Sequence, residues 1–274
     1  MKIKTIVLTG AGGILCSVLA KALAEEGHKI ALLDLNIESA QSITDSIKEK
    51  GGKALAVEVN VLDKKSLLQA RAKVNEEFGP CQILINGAGG NHPSATTDDQ
   101  FYNTSIGEKE ELKTFFNLDT DGIKFVFDLN FMGTLLPTQI FAEDMAKNNE
   151  GNIINISSMN SFQPLTKIPA YSGAKAAVSN FTQWLAVYFS KVGIRVNALA
   201  PGFFLTDQNR KLLTNEDGSL TERGETIIKR TPLGKFGSPE DLISTTRWLC
   251  EDGSGFITGI VVPIDGGFSA FSGV

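Results

Sequence analysis

Short, continuous runs of aliphatic and β-branched residues alternate along this chain with longer stretches in which apolar positions recur every three or four residues. The runs at 6–8, 30–33, 54–59, 83–85, 153–156, 195–199 and 261–264 predict seven strands. Their near-continuous apolar character is what a parallel sheet covered on both faces produces. Between them, Ile14, Val18 and Ala22 join Leu15, Leu19 and Leu23 in one helical stripe. Similar patterns cover about 38–50, 64–78, 121–147, 171–191 and 239–251. The last opens with "SPEDL", where Ser238 is the expected N-cap and Pro239 the first turn. The alternation predicts an α/β fold: a doubly wound parallel sheet (Rossmann fold) of about seven strands, with helices on both faces, in one domain over 1–274.

Two stretches break the alternation. Residues 91–120, "NHPSATTDDQFYNTSIGEKEELKTFFNLDT", are polar and acidic with one short helical patch, and residues 203–231 follow the sixth strand. Such long excursions read as functional loops or lids, and both leave the carboxyl ends of strands, where ligands bind in these sheets. Within the first, "GEKEE" at 107–111 reads as a solvated helix face. Trp184, Trp248 and most phenylalanines are expected in the core.

Composition narrows the function classes. At 42% hydrophobic residues, 274 residues can bury a substantial core. A net charge of −5, a pI near 5.2 and no basic stripe argue against nucleic acid as partner. Cys16, Cys81 and Cys250 lack metal-ligand spacing and read as buried or free thiols in a reducing compartment. Only His28 and His92 are present, and no metal site is expected. "MKIK" runs directly into the first strand and no apolar run approaches span length, so a soluble, cytoplasmic protein is expected, with no membrane partner.

"VLTGAGGIL" is a strand, a turn with glycines at 10, 12 and 13, and a helix start. Backbone N–H groups there, aided by the helix dipole, suit a pyrophosphate, although a plain strand-to-helix turn has the same glycines. The second strand ends in Asp34, 24 residues after Gly10. A carboxylate there accepts both adenosine ribose hydroxyls and repels a 2′-phosphate, favouring NAD over NADP. Alternatively Asp34 caps the next helix, a task for which "DLN" also offers Asn36.

Eight motifs in order carry a family resemblance: "TGAGGIL", "LLDLN", "NGAGG" at 86–90, "DLNFMG" at 128–133, "NISS" at 155–158, "YSGAK" at 171–175, "NALAPGFFLT" at 197–206 and "FITGIVVPIDGG" at 256–267. From about residue 4 to 269 the chain resembles the short-chain dehydrogenase/reductase family. The resemblance implies that Tyr171 is the catalytic acid/base, Lys175 its electrostatic partner and Ser158, thirteen residues before Tyr171, the donor to the reacting oxygen. Ser157 reads as structural, and Asn130 as the asparagine that holds a water against the lysine. Cofactor contacts are implied for Gly10, Gly12, Gly13, Ile14 and Leu15 at the phosphate turn and for Asn60 and Val61 near the adenine. Asn86, Gly87 and Ala88 lie beneath the adenine and ribose, and Pro201, Gly202 and Thr206 near the nicotinamide. The pattern departs at Ile14 and Cys16, where glycines are usual, which predicts a redrawn turn and a looser approach of helix to strand. It also departs at Asn60, where an aspartate is common.

A free phenol titrates near 10, so an ammonium one helical turn away, as at Tyr171 and Lys175, is expected to draw its pKa towards neutrality. In isolation the same pair is an ordinary helix surface; Ser158 and Asn130 at family spacing make it chemistry. The 91–120 insertion and the 203–231 segment resemble the subgroup of D-mannonate oxidoreductases, also called fructuronate reductases, with gluconate 5-dehydrogenase a near alternative. For a hydroxylated anion, Asn91, His92, Ser158, Asn160, Arg210 and Lys211 are the candidate contacts. His92 reads equally as a loop histidine bonded to backbone, and Arg210 as half of a surface ion pair. A non-catalytic dinucleotide sensor would be expected to lack the tyrosine or lysine; a steroid or acyl-carrier substrate would want a greasier lid than "FF" at 203–204 alone supplies. The resemblance also implies a homotetramer built through helices 121–147 and 171–191 and the last strand.

Overall fold

The computed structural model describes residues 2–104, 112–206 and 209–273. Its strands are β1 (Thr5–Thr9), β2 (Lys29–Asp34), β3 (Lys53–Glu58), β4 (Ile83–Asn86), β5 (Gly151–Ile156), β6 (Ile194–Pro201) and β7 (Val261–Ile264). They form one sheet in the order β3-β2-β1-β4-β5-β6-β7, every neighbouring pair parallel. All seven predicted strands are present, within a few residues of the expected ends.

The period of two along each strand sorts side chains onto the two faces. Ile6 and Leu8 of β1, with Ile30, Leu32, Ile83 and Ile85, pack on α1 (Ile14–Glu25), α2 (Ile37–Glu49) and α9 (Ile243–Cys250). Val7, Leu33, Leu84 and Val196 face the other way, onto α3 (Lys64–Phe78), α5 (Gly133–Asn148) and α6 (Pro169–Tyr188). Outside this frame lie α4 (Thr120–Phe127), α7 (Arg210–Leu213) and α8 (Glu222–Arg230). The three cysteines are buried and free.

Two expected helices carry a local irregularity, and one expectation changes. The helix over 121–147 is present, with a π-helical turn at Asp128–Met132 between α4 and α5 that carries Asn130. The segment at 239–251 opens as expected with Ser238 at its cap and Pro239 in its first turn, a tight turn over Pro239–Leu242 in which the Ser238 N–H bonds Asp241 Oδ2 at 2.8 Å, before α9 starts. The tryptophans are not core: Trp184 is 55% and Trp248 41% exposed, and Phe141, Phe204 and Phe268 are the buried phenylalanines among the described residues. Trp184 lies instead in an aromatic stripe on the outer side of α6, stacked on Tyr188 at 4.7 Å and on Phe181 at 6.2 Å. Helical periodicity marks such a stripe but does not say which stripe the sheet covers. The "GEKEE" segment lies outside the described residues.

Candidate active site

The sheet order reverses between β1 and β4, whose ends pair Thr9 with Asn86. Ligands bind at such a switch point because the two crossovers leave in opposite directions and open a crevice. The turns that leave it are held close. Thr9 Oγ1 accepts the N–H groups of Gly87 (3.1 Å) and Ala88 (3.4 Å). Gly10 has φ +62°, and a Cβ there would stand 2.7 Å from Ala88 Cα, so only glycine fits.

Helix α1 begins at Ile14 with Gly13 as its cap, and the Ser17 N–H closes the first turn on the Gly13 carbonyl at 2.9 Å. The preceding N–H groups of that turn have no partner inside a helix and suit an anion. Contrary to the looser approach expected at Cys16, the contact is tight: its sulfur lies where a Cβ on Gly87 would come within 2.1 Å. The absence of a side chain on Gly87 leaves room for the Cys16 sulfur. Burial pushes the Cys16 thiol up to about 12, so it stays neutral.

Asp34 ends β2 with its carboxylate fixed from two sides, by the Gly12 N–H on Oδ2 and the Asn36 N–H on Oδ1, both at 2.8 Å. Capping of α2 falls to Asn36, which accepts the Ser39 N–H at 3.1 Å, so Asp34 is left to face the crevice. Asn60 is exposed and its amide oxygen takes the Leu62 N–H at 2.9 Å. Two expected cofactor contacts turn inward. Val61 is buried in the second core. The Asn86 amide donates to Thr138 Oγ1 (2.9 Å) and Asn155 Oδ1 (2.8 Å), so positions 61 and 86 offer only main chain. Past β6, the Gly202 N–H bonds the Ile264 carbonyl at 2.9 Å, and the Thr206 N–H bonds Asn209 Oδ1 at 2.8 Å.

Pro169 pre-sets the first turn of α6, which carries Tyr171 and Lys175 one turn apart. Lys175 is buried at 4% exposure, donates from Nζ to the Ile156 carbonyl at 2.8 Å and lies 5.7 Å from the centre of the Tyr171 ring. Ser158, just past β5, accepts the Asn160 N–H at 3.3 Å, and its hydroxyl lies near enough to the Tyr171 phenol to lower its pKa. Ser157 is engaged elsewhere, with Ser179 Oγ at 2.7 Å and the Lys175 carbonyl at 3.1 Å, which is a structural role. The electrostatic order differs from expectation. Burial raises the Tyr171 phenol above 10, and the Ser158 hydroxyl is what pulls it back. Burial also lowers Lys175 to about 8, so it keeps its charge at neutrality and loses it on the alkaline side.

Asn130 is fully buried, and its amide clamps the 86–90 turn: Nδ2 donates to the Gly90 and Val126 carbonyls at 2.7 Å, and Oδ1 accepts the Gly90 N–H at 3.2 Å. Gly89 separates it from the lysine, since a Cβ there would lie 2.6 Å from Asn130 Oδ1 and 3.0 Å from Lys175 Nζ. Thr9 and Gly89 therefore belong to the site although neither was singled out from the sequence; their signal was membership of the "TGAGG" and "NGAGG" turns.

The substrate candidates divide. Asn91 donates to Thr96 Oγ1 at 2.9 Å, and His92 Nδ1 takes the Ser94 N–H at 3.2 Å while its ring meets Phe125 edge-on. Both make bonds within the insertion, and His92 bonds backbone there, in keeping with its reading as a loop histidine. Arg210 opens α7 on the exposed side of the 203–231 segment, with Lys211 next to it. Asn160 differs: it is 5% exposed and its Oδ1 is buried with no hydrogen-bond partner, an acceptor that needs a donor. Ala95, Val126 and Ala170 pack together with Tyr171 against them, which sets the insertion over the phenol.

A family model described as short chain dehydrogenase matches residues 4–217. An uncharacterized oxidoreductase of Haemophilus influenzae is 56% identical over 272 residues, 99% of this chain and 95% of the relative. A solved structure from Haemophilus influenza with bound NAD, provisionally named a D-mannonate oxidoreductase, superposes with TM-score 0.94 at 56% identity, covering 99% of this chain and 96% of the other. Gluconate 5-dehydrogenase of Gluconobacter oxydans is 29% identical over 263 residues, 96% of this chain and 93% of the relative.

Proposed function

This chain belongs to the short chain dehydrogenase family, and on that premise we propose that it is an NAD(H)-dependent oxidoreductase interconverting D-mannonate and D-fructuronate. The observation that carries the reaction class is buried Lys175 5.7 Å from the Tyr171 ring, with the Ser158 hydroxyl near enough to the phenol to lower its pKa. Two neighbouring hydroxyls can bind one carbonyl oxygen together. As negative charge grows there, Ser158 donates to it, worth about 3 kcal/mol if it acts as an oxyanion donor does. Tyr171 delivers the proton in the reducing direction and removes it in the oxidising one, with Lys175 as the charge beside it.

The residues present fit a dinucleotide. The turn at Gly10, Gly12 and Gly13 and the start of α1 at Ile14 and Leu15 would hold the pyrophosphate, and Asp34 the adenosine ribose. The main chain at 60–61 and 86–88 would line the adenine side, and Pro201, Gly202 and Thr206 the nicotinamide. Bound nicotinamide supplies the hydride chemistry, and the chain orients it. Because Asp34 is fixed by two N–H groups, its charge stays where a 2′-phosphate would have to sit, which supports NAD over NADP. The NAD in the Haemophilus structure supports NAD as a cofactor.

For the substrate, the name given to that structure and the open acceptor on Asn160 support a polyhydroxylated acid, with a hydroxyl near the reacting carbon donating to Asn160 Oδ1. Arg210 or Lys211 would bind its carboxylate. The exposed stripe of Trp184 and Tyr188 on α6 supports packing against a second copy, as in a homotetramer. The likeness to gluconate 5-dehydrogenase favours gluconate as the second reading. Steady-state assays of D-mannonate and gluconate, each with NAD and with NADP, decide between them. We expect kcat/KM for D-mannonate with NAD to exceed the other three combinations by about tenfold or more; preference for gluconate would replace the substrate, and absence of turnover with all four would end the proposal.

A further inference from the structure

We propose that Lys167 is a positioning residue: it latches the insertion after β4 to the helix that carries Tyr171, and through that latch sets how the substrate is held. The choice of substrate rests on the reading above; the latch does not.

Two non-glycine residues among those described have positive φ. Asn149, at 51°, ends α5 in the left-handed conformation that asparagine adopts readily. Lys167, at 73°, has no such excuse, because its β-carbon is crowded in that region and glycine would adopt the same angle freely. Strain of this kind persists only where the surroundings over-determine it. Here they do so with two bonds to one segment. The Lys167 carbonyl accepts the Thr97 N–H at 2.8 Å, and Lys167 Nζ donates to the Asp98 carbonyl at 2.6 Å. Glycine could make the first bond but not the second.

The described residues of that segment are tied to one another. The Asp98 N–H bonds the Lys113 carbonyl at 2.9 Å, the Lys113 N–H returns to Asp98 Oδ2 at 2.7 Å, and Lys113 Nζ reaches the Pro93 carbonyl at 3.1 Å. Its inward side is Ala95, buried against Val126 and Ala170 with Tyr171 beside them. There is little slack beneath it, since a Cβ on Gly122 would fall 1.9 Å from Ser94 Oγ. Pro169, the first residue of α6, is two positions from Lys167. Freeing the lysine end of the latch therefore lets the insertion wall move relative to the phenol while the dinucleotide turns, which are built on β1, β2 and β4, stay in place.

The test uses the full chain with two substitutions. Lys167→Met keeps the β-carbon and the apolar stem but removes the ammonium; Lys167→Gly removes the strain as well. Both are expected to raise KM for the sugar acid about fivefold, with kcat and KM for NADH within about twofold of the parent. Amide hydrogen exchange is expected to quicken about fivefold or more at 94–98 and 113, and to remain unchanged at 83–90. The exchange arm needs no substrate, so it judges the latch even if every sugar acid fails. Parent exchange rates at 94–98 in both variants would overturn the proposal. Quickened exchange with an unchanged substrate KM, or losses spread equally over kcat and KM for NADH, would overturn the positioning role and leave a purely structural tie.

Discussion

The turn after β2 and the insertion after β4 leave the same edge of the sheet, yet they treat polar side chains in opposite ways. Asp34 is gripped by two backbone N–H groups from its own neighbourhood, and its charge is held in the crevice. In the insertion, Asn91, His92 and Asp98 bond to Thr96, Ser94 and Lys113, so the loop folds its polar groups into itself. The proposed dinucleotide side is built by main chain on short, regular turns. The proposed substrate side is built by side chains that first hold the wall together, which in that reading leaves recognition to groups such as Asn160.

That contrast can be broken or sharpened by substitution. The largest effect is expected at the phenol's partner: Ser158→Ala should lower kcat by about 10²–10³-fold, read by steady-state kinetics. Because the Ser158 hydroxyl lowers the phenol's pKa, its removal should also move the limb of the oxidation pH profile that rises with pH to higher pH. An unchanged profile would mean that the phenol does not govern it.

Next comes a stability effect. Burial holds folded Lys175 near 8 against 10.5 in the unfolded chain, so the unfolded state binds more protons between those values. Stability therefore rises with pH across that window, and below about 8 the full cost, on the order of 3 kcal/mol, is present. Lys175→Met should remove that cost, less about 1 kcal/mol for the lost bond to the Ile156 carbonyl. Urea melts at pH 7 should show a more stable, inactive protein, and the rise between pH 8 and 10.5 should flatten.

On the dinucleotide side, Asp34→Ala should raise KM for NAD about 10–100-fold and narrow the gap to NADP. KM for the sugar acid should stay near the parent value if the two sides are as separate as their bonding suggests. The smallest effect is expected on the exposed segment: Arg210→Ala or Lys211→Ala should raise KM for the acid about threefold. No change in either variant would remove the carboxylate from that segment.

The same division governs what the sequence discloses. Seven strands are legible because runs such as 30–33 and 83–85 are buried on both faces and tolerate no polar alternation. Tyr171, Lys175 and Ser158 are legible by spacing, and the structure brings them together. The π-helical turn at Asn130 is not legible, since it is stabilised by an amide reaching Gly90, 40 residues away in the chain. Nor is the exposure of Trp184, because an apolar stripe on α6 looks the same whether it faces a sheet or another surface. His92 reads two ways in the sequence, as a substrate contact or as a loop histidine bonded to backbone, and its Nδ1 takes the Ser94 N–H two residues on.

The most direct test of the central claim is a single-turnover measurement on Tyr171→Phe, loaded with NADH and mixed with D-fructuronate or with whichever sugar acid the assays select. The account predicts NADH binding within about twofold of the parent and a hydride-transfer rate lower by about 10³-fold, because the proton donor to the reacting oxygen is gone. A folded Tyr171→Phe protein that oxidises NADH at the parent rate would contradict it.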